Sequence, residues 1–104
     1  MDFPDLTIIM AHGGRGIWYD EALNLVHLHE HVYIDISGLP PQKLPAYFPN
    51  MERLALKFLF GTDWPSVDMQ KNIRLINSLN SLNMAPEATE RILGENAVQI
   101  LGLL

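Results

Sequence analysis

The sequence predicts an α/β fold built on a parallel sheet with outer helices, and three observations predict it. The stretch Lys57-Phe58-Leu59-Phe60-Gly61-Thr62-Asp63-Trp64-Pro65 is an apolar run that stops on a glycine, a carboxylate and a Trp-Pro pair. Leu6-Thr7-Ile8-Ile9-Met10 runs in the same way into Ala11-His12-Gly13-Gly14. Between them, Val32-Tyr33-Ile34-Asp35-Ile36-Ser37-Gly38 repeats the pattern, and each run is followed by a segment long enough for a helix. A strand covered on both faces reads as a continuous apolar run, and alternation of such runs with helical segments is the βαβ unit of a parallel sheet. In open and barrel α/β folds the carboxyl ends of the strands are where ligands bind. His12 and Asp63 stand at two such ends.

The strands are expected near Thr7 to Ala11, Val32 to Ile36 and Lys57 to Gly61, parallel and adjacent in that order. From Tyr19 to Glu30, Ala22, Leu25, Val26 and His29 recur at three-four spacing, with Leu23 and Leu28 widening the stripe and Asp20 or a neighbour capping the start. Four prolines at 40, 41, 45 and 49 make Leu39 to Asn50 a loop with short helical turns at most. From Val67 to Leu82 the apolar stripe is Met69, Ile73, Ile76 and Leu79, with Asp68 placed to cap the N-terminus. Pro86 suits the first helical position before Glu87 to Leu93, Gly94 suits that helix's end, and Asn96 the start of a last helix, Ala97 to Leu101. No linker or low-complexity segment divides the chain, so residues 1–104 read as a single domain.

Composition excludes several classes. A net charge of -5 with seven scattered Lys and Arg residues does not make a nucleic-acid surface. With no cysteine there is neither a disulfide framework nor a thiolate nucleophile, which suits a cytoplasmic protein. Asp2 and Asp5 stand where a signal peptide carries basic residues, and no apolar run is long enough to span a bilayer. A serine hydrolase elbow, Gly-x-Ser-x-Gly, is absent. His27-Leu28-His29 spells a His-x-His pair but lies in a helical stretch, where residues two apart do not share a face, so it reads as coincidental.

Taken together, Phe3-Pro4-Asp5-Leu6 leading to Ala11-His12-Gly13-Gly14, then Tyr33-Ile34-Asp35-Ile36-Ser37-Gly38, Phe60-Gly61-Thr62-Asp63-Trp64-Pro65 and Gly94-Glu95-Asn96-Ala97 resemble the amidohydrolase-related (family 2) metal-dependent hydrolases. That resemblance implies a (β/α)₈ TIM barrel, of which the three strands look like the sixth, seventh and eighth. A complete barrel takes about 250 residues; this chain has 104. The expectation is therefore a partial barrel, without the family's strand-one His-x-His pair or its strand-five metal ligand.

The resemblance also assigns roles. The strand-six histidine, His12, would bind a metal or act as acid or base; in an arbitrary protein a histidine after an apolar strand is more often a packing residue. The strand-eight aspartate, Asp63, would ligate the metal and accept a proton, the alternative being a cap for the following helix, for which Asp68 is better placed. A carboxylate with an imidazole suits zinc first, or manganese. Arg15 on the active-face loop would clamp a substrate carboxylate or stay solvated. Trp18 and Trp64 would wall a substrate or plug the rim, and Ser37 would bond substrate or its own loop. Asp35 lies opposite Ile34 and Ile36 on its strand, and the sequence assigns it no role.

Two functions follow as expectations. One is the C-terminal part of a metal-dependent hydrolase or nonoxidative decarboxylase acting on a small molecule, inactive until the upstream strands are supplied. The other is a non-catalytic α/β remnant whose open strand edges bind a second copy or an upstream barrel half.

Overall fold

The computed structural model describes residues 3, 5–82 and 84–103; Pro4 of the first motif lies outside them. Three parallel strands, β1 (Ile8–Met10), β2 (Val32–Asp35) and β3 (Phe58–Leu59), lie side by side in chain order. Ile8 sits opposite Val32, and Asp35 opposite Leu59. Direction and order are those the sequence predicts, but each strand is shorter. Ala11 already belongs to a 3₁₀ turn over Ala11–Gly14, and Lys57 closes another over Ala55–Lys57. Ile36 keeps one ladder bond, its N–H donating to the Leu59 carbonyl at 2.9 Å.

Among the described residues, five helices follow from the sequence between these strands and after them: α1 (Tyr19–Leu28), α2 (Leu44–Tyr47), α3 (Met69–Asn80), α4 (Pro86–Glu90) and α5 (Asn96–Leu101). The proline-rich stretch forms only a 3₁₀ turn, Pro41–Lys43, and the single turn of α2. Helix α1 stops two residues earlier than expected because His29 is extended, with φ −127° and ψ 123°. Its N-cap is Trp18, which makes no side-chain cap bond. Asp20, expected to cap, lies instead in the first turn with Glu21, where a carboxylate favours the helix dipole. Helix α3 is capped as predicted: the Asp68 carboxylate accepts from the Lys71 N–H at 2.8 Å.

Only one face of the sheet carries the core. Ile34, Ile36 and Phe58 are fully buried there against Val26, Leu44, Phe48, Leu75, Leu79 and Ile92. Phe48 meets Phe58 edge-on at 5.2 Å between ring centroids, and Tyr19 stacks on Tyr47 at 4.1 Å. On the opposite face Ile9 is 41% exposed and Tyr33 and Asp35 are half-buried, while Leu59 is buried, so of the three apolar runs only that of β3 marks a strand covered on both sides within this chain.

Two predicted stripes are corrected. In α1, Ala22 and Val26 are buried while Leu25 and Leu28 face outward. In α3 the buried residues are Asn72, Leu75 and Leu79, whereas Met69 and Ile73 are 59% and 51% exposed. Both helices carry apolar residues on two sides, and spacing alone selected a line that mixes them.

The C-terminal segment departs furthest from expectation. Gly94 does not end a helix, and Asn96, the first residue of α5, follows no break: a π turn over Arg91–Glu95 joins α4 to α5, with helical dihedrals at Glu90, Arg91, Glu95 and Asn96. The physical reason lies at the outer edge of β3. Leu59 points its backbone groups at β2, so Phe58 and Phe60 point theirs the other way. The Phe60 N–H donates to the Ile92 carbonyl at 2.9 Å, an acceptor that the wider π turn leaves available. The buried Asn96 amide donates to the carbonyls of Phe58 at 2.8 Å and Ala55 at 2.6 Å. A helix thus satisfies the edge that strand pairing would otherwise satisfy.

Candidate functional site

The carboxyl ends of the three strands share one rim, and the residues there are held in unusual backbone conformations. His12, one residue into the turn after β1, has φ 57° and ψ 20°, and Asp63, beyond β3, has φ 54°. A non-glycine residue in the left-handed region costs roughly 1 kcal/mol or more, and such residues concentrate at functional sites. These two are the only non-glycine residues with positive φ among the described residues. Gly13 follows at φ +56°, and a methyl group there would meet Phe48 Cζ at 2.7 Å, so the turn packs directly on the core.

Gly38 marks the meeting point. A Cβ added to it would lie 2.7 Å from Arg15 Nη2, 2.8 Å from Asp63 Oδ2 and 3.5 Å from His12 Cε1. Three side chains from the loops after β1 and β3 therefore surround the backbone after β2, which only glycine leaves room for. Arg15 Nη2 also donates to the Gly38 carbonyl at 3.2 Å. Beneath, Asp35, Ser37 and His12 form a bonded cluster. The Asp35 carboxylate accepts from the Ser37 N–H at 3.0 Å, the Ser37 hydroxyl at 2.6 Å and the His12 N–H at 3.3 Å. His12 Nδ1 lies 2.6 Å from the Ser37 carbonyl oxygen.

His12, Asp63, Arg15 and Ser37 thus come together. Trp18 and Trp64 do not join the cluster: they are 56% and 66% exposed, Trp18 at the start of α1 and Trp64 two residues past Thr62, whose hydroxyl accepts its N–H at 3.3 Å. Asp63 is not the cap of α3, a role that Asp68 fills. Ser37, buried, spends its hydroxyl on Asp35 rather than facing outward.

Sequence reasoning missed three contributors. Asp35 has a detectable signal, since Asp followed two residues later by Ser and then Gly is a turn-forming pattern. Gly38 follows from the same pattern. Asn72, buried in α3, donates to the Thr62 carbonyl at 3.1 Å and so braces the backbone beside Asp63; a helical asparagine gives no such signal. Its Oδ1 has no partner among the described residues. A cavity of about 570 Å³ lies alongside, between the loop after β2 and α3, lined by Gly38, Leu39, Gln42, Lys71, Asn72 and Arg74, but neither His12 nor Asp63 lines it. The His12–Asp63 rim is open because only three strands surround it.

As metal donors, His12 and Asp63 are of the right chemical kind, one imidazole and one carboxylate. Catalytic zinc takes three protein ligands. Among the described residues, no three His, Cys, Asp or Glu side chains gather as a group that could hold a metal.

The amidohydrolase family model matches residues 1–103. Among solved structures, an uncharacterised TIM-barrel protein from Bordetella bronchiseptica superposes with a TM-score of 0.77 at 27% identity, over 97% of this chain and 36% of that one. A 2,6-dihydroxybenzoate decarboxylase, solved with 2,6-dihydroxybenzoate, superposes with a TM-score of 0.72 at 22% identity, over 98% of this chain and 36% of that one. No curated protein matches. The chain spans just over a third of the length of these barrels, and its three parallel strands with their helices are part of a TIM barrel.

Proposed function

The chain belongs to the amidohydrolase family, and on that premise we propose that it supplies the C-terminal part of a metal-dependent hydrolase or nonoxidative decarboxylase, with His12 and Asp63 as its chemical groups. The observation that carries this reading is the convergence of His12, Asp63 and Arg15 around Gly38, with the first two held in left-handed backbone at one rim. Amidohydrolases usually depend on a metal, here zinc or manganese; Asp63 would ligate it together with ligands drawn from strands outside this chain, and His12 would either bind a second metal or, beside a single one, serve as acid or base. When bound, such a metal supplies Lewis-acid polarisation of substrate or water. The chain's own residues do the rest. Asp63 accepts a proton, His12 moves one at its outer ring nitrogen, and Arg15 draws a small carboxylate substrate to the rim. The decarboxylase among the similar structures favours an acid substrate of this kind.

Partner choice follows from the two sheet edges. The outer edge of β3 is occupied by Ile92 and Asn96, whereas Ile9 in β1 turns its backbone away from β2 and is exposed. An unpaired edge is a template for another strand, so the upstream strands join first at β1, and closing the barrel on β3 displaces the contacts of Ile92 and Asn96. A non-catalytic module that binds a second copy through the same edge is the competing reading.

The test is a barrel completed with the upstream strands from the same gene or a neighbouring one. The isolated chain shows no robust turnover. In the completed barrel, Asp63→Ala abolishes metal-dependent turnover and lowers metal content. His12→Ala slows turnover by about 10²-fold or more, as loss of an acid–base group does, and leaves metal content closer to normal if the site is mononuclear. Full activity with Asp63 replaced overturns the assignment, and a completed barrel that binds no metal and turns nothing over favours the non-catalytic module.

A further inference from the structure

We propose that Asp35 is the positioning residue of this site, fixing His12 as the Nδ1–H tautomer so that Nε2 presents its lone pair at the rim. The argument begins with the contact between His12 Nδ1 and the Ser37 carbonyl oxygen at 2.6 Å. A carbonyl oxygen has no proton to give, so Nδ1 carries the hydrogen and donates it. In the neutral ring Nε2 is then bare, the form a ligand or general base requires. Free imidazole side chains in water prefer the other tautomer, so the protein has to impose this one.

Asp35 imposes it from both ends. At one end its Oδ1 accepts from the Ser37 N–H two residues on, at 3.0 Å, and its Oδ2 accepts from the Ser37 hydroxyl at 2.6 Å. This is an Asx turn, and it sets the direction of the Ser37 peptide and hence of the carbonyl that holds Nδ1. At the other end Oδ2 accepts from the His12 backbone N–H at 3.3 Å, bonding the residue whose φ of 57° needs an external restraint. One carboxylate thus takes three donors. An amide of the same shape offers a single acceptor oxygen and turns an NH₂ toward the remaining N–H and O–H groups. Gly61 closes the space behind: a Cβ there would lie 3.1 Å from Asp35 Oδ1 and from Ser37 Cβ, so β3 holds the carboxylate against the turn.

This role deepens the hydrolase or decarboxylase reading and rests on it for its use, but the tautomer can be measured without substrate, metal or turnover. The experiment is a two-bond ¹⁵N–¹H correlation on the uniformly labelled chain at about pH 8, above the ordinary imidazole range. His12 is identified as the pattern that disappears in His12→Gln. In the native chain Nδ1 reads as protonated and Nε2 as bare; a native Nε2–H pattern overturns the proposal. Asp35→Asn moves the His12 pattern toward Nε2–H or a mixture, while Ser37→Ala, which retains the peptide N–H, the carbonyl and Asp35, leaves it unchanged. Asp35→Thr, suited to a strand, serves as the second variant where Asp35→Asn does not fold. A folded Asp35 variant with the native His12 pattern overturns the role. In the completed barrel, Asp35→Asn lowers kcat by about tenfold or more with KM little changed, the signature of a misplaced acid–base group rather than of lost substrate binding. A native tautomer with no activity in any barrel would sink the enzymatic reading and leave the tautomer assignment standing.

Discussion

Replacing Asn96 by leucine tests whether the C-terminal helix substitutes for a strand at the edge of β3. Asn96 is 2% exposed and its amide donates to the carbonyls of Ala55 and Phe58 at 2.6 and 2.8 Å. Leucine has nearly the same shape and no donor, so the Phe58 carbonyl loses its partner in a place water does not reach, while the Ala55 carbonyl keeps the Phe58 N–H. The stranded acceptor costs about 1–3 kcal/mol, and the second lost bond about 0.5–1.5 kcal/mol. Leucine's extra apolar burial offsets part of this, which leaves a net loss of about 1–3 kcal/mol. For a domain of about 100 residues, 1 kcal/mol shifts Tm by about 4–8 °C, so the variant melts at least about 4 °C lower. Urea unfolding followed by far-ultraviolet circular dichroism gives the free energy, and amide exchange at Phe60 reports whether its bond to Ile92 opens with it. A loss below about 0.5 kcal/mol, the range of an inert surface change, would refute the assignment of Asn96 to the strand edge.

Two further outcomes follow. Gly94→Ala stabilises the chain by about 0.5–1 kcal/mol, because the position is helical and solvent-filled rather than left-handed; an added Cβ meets nothing within 4 Å. Destabilisation by a similar amount in urea would show that Gly94 ends a helix after all. Lys57, whose ammonium donates to the carbonyls of His29 and Glu30 and lies 4.8 Å over the Tyr33 ring, has its pKa lowered below 10.5 by burial, against an opposing pull from Glu30. Between its folded and unfolded values the unfolded chain binds the extra proton, so this group's contribution to stability rises with pH there. Urea midpoints of the native chain and Lys57→Met, compared at neutral pH and near pH 10, should show the native chain gaining on the variant; a falling difference would refute the sign.

Sequence alone determined the parallel order of the three strands, because apolar runs ending on glycine and polar residues are set by local chain properties: β-propensity, breakers and the length between them. It also determined that His12 and Asp63 stand at strand ends, and that Asp68 caps α3 and Pro86 opens α4, since caps and proline positions depend on neighbours a few residues away. The family resemblance was legible for the same reason, in short motifs at the strand ends. Only the tertiary structure decided which side of α1 and α3 is buried, because Leu25, Leu28, Met69 and Ile73 are as apolar as the residues chosen for the core and differ only in what lies opposite them. Only it showed that Gly94 and Asn96 sit inside a continuing helix, since the helix–strand bonds formed there join residues more than 30 positions apart. Asp35 is the plainest case: its strand position and its turn with Ser37 follow local rules, but its bond to the His12 N–H joins residues 23 positions apart, and no local rule couples a carboxylate to a backbone N–H that distant in sequence.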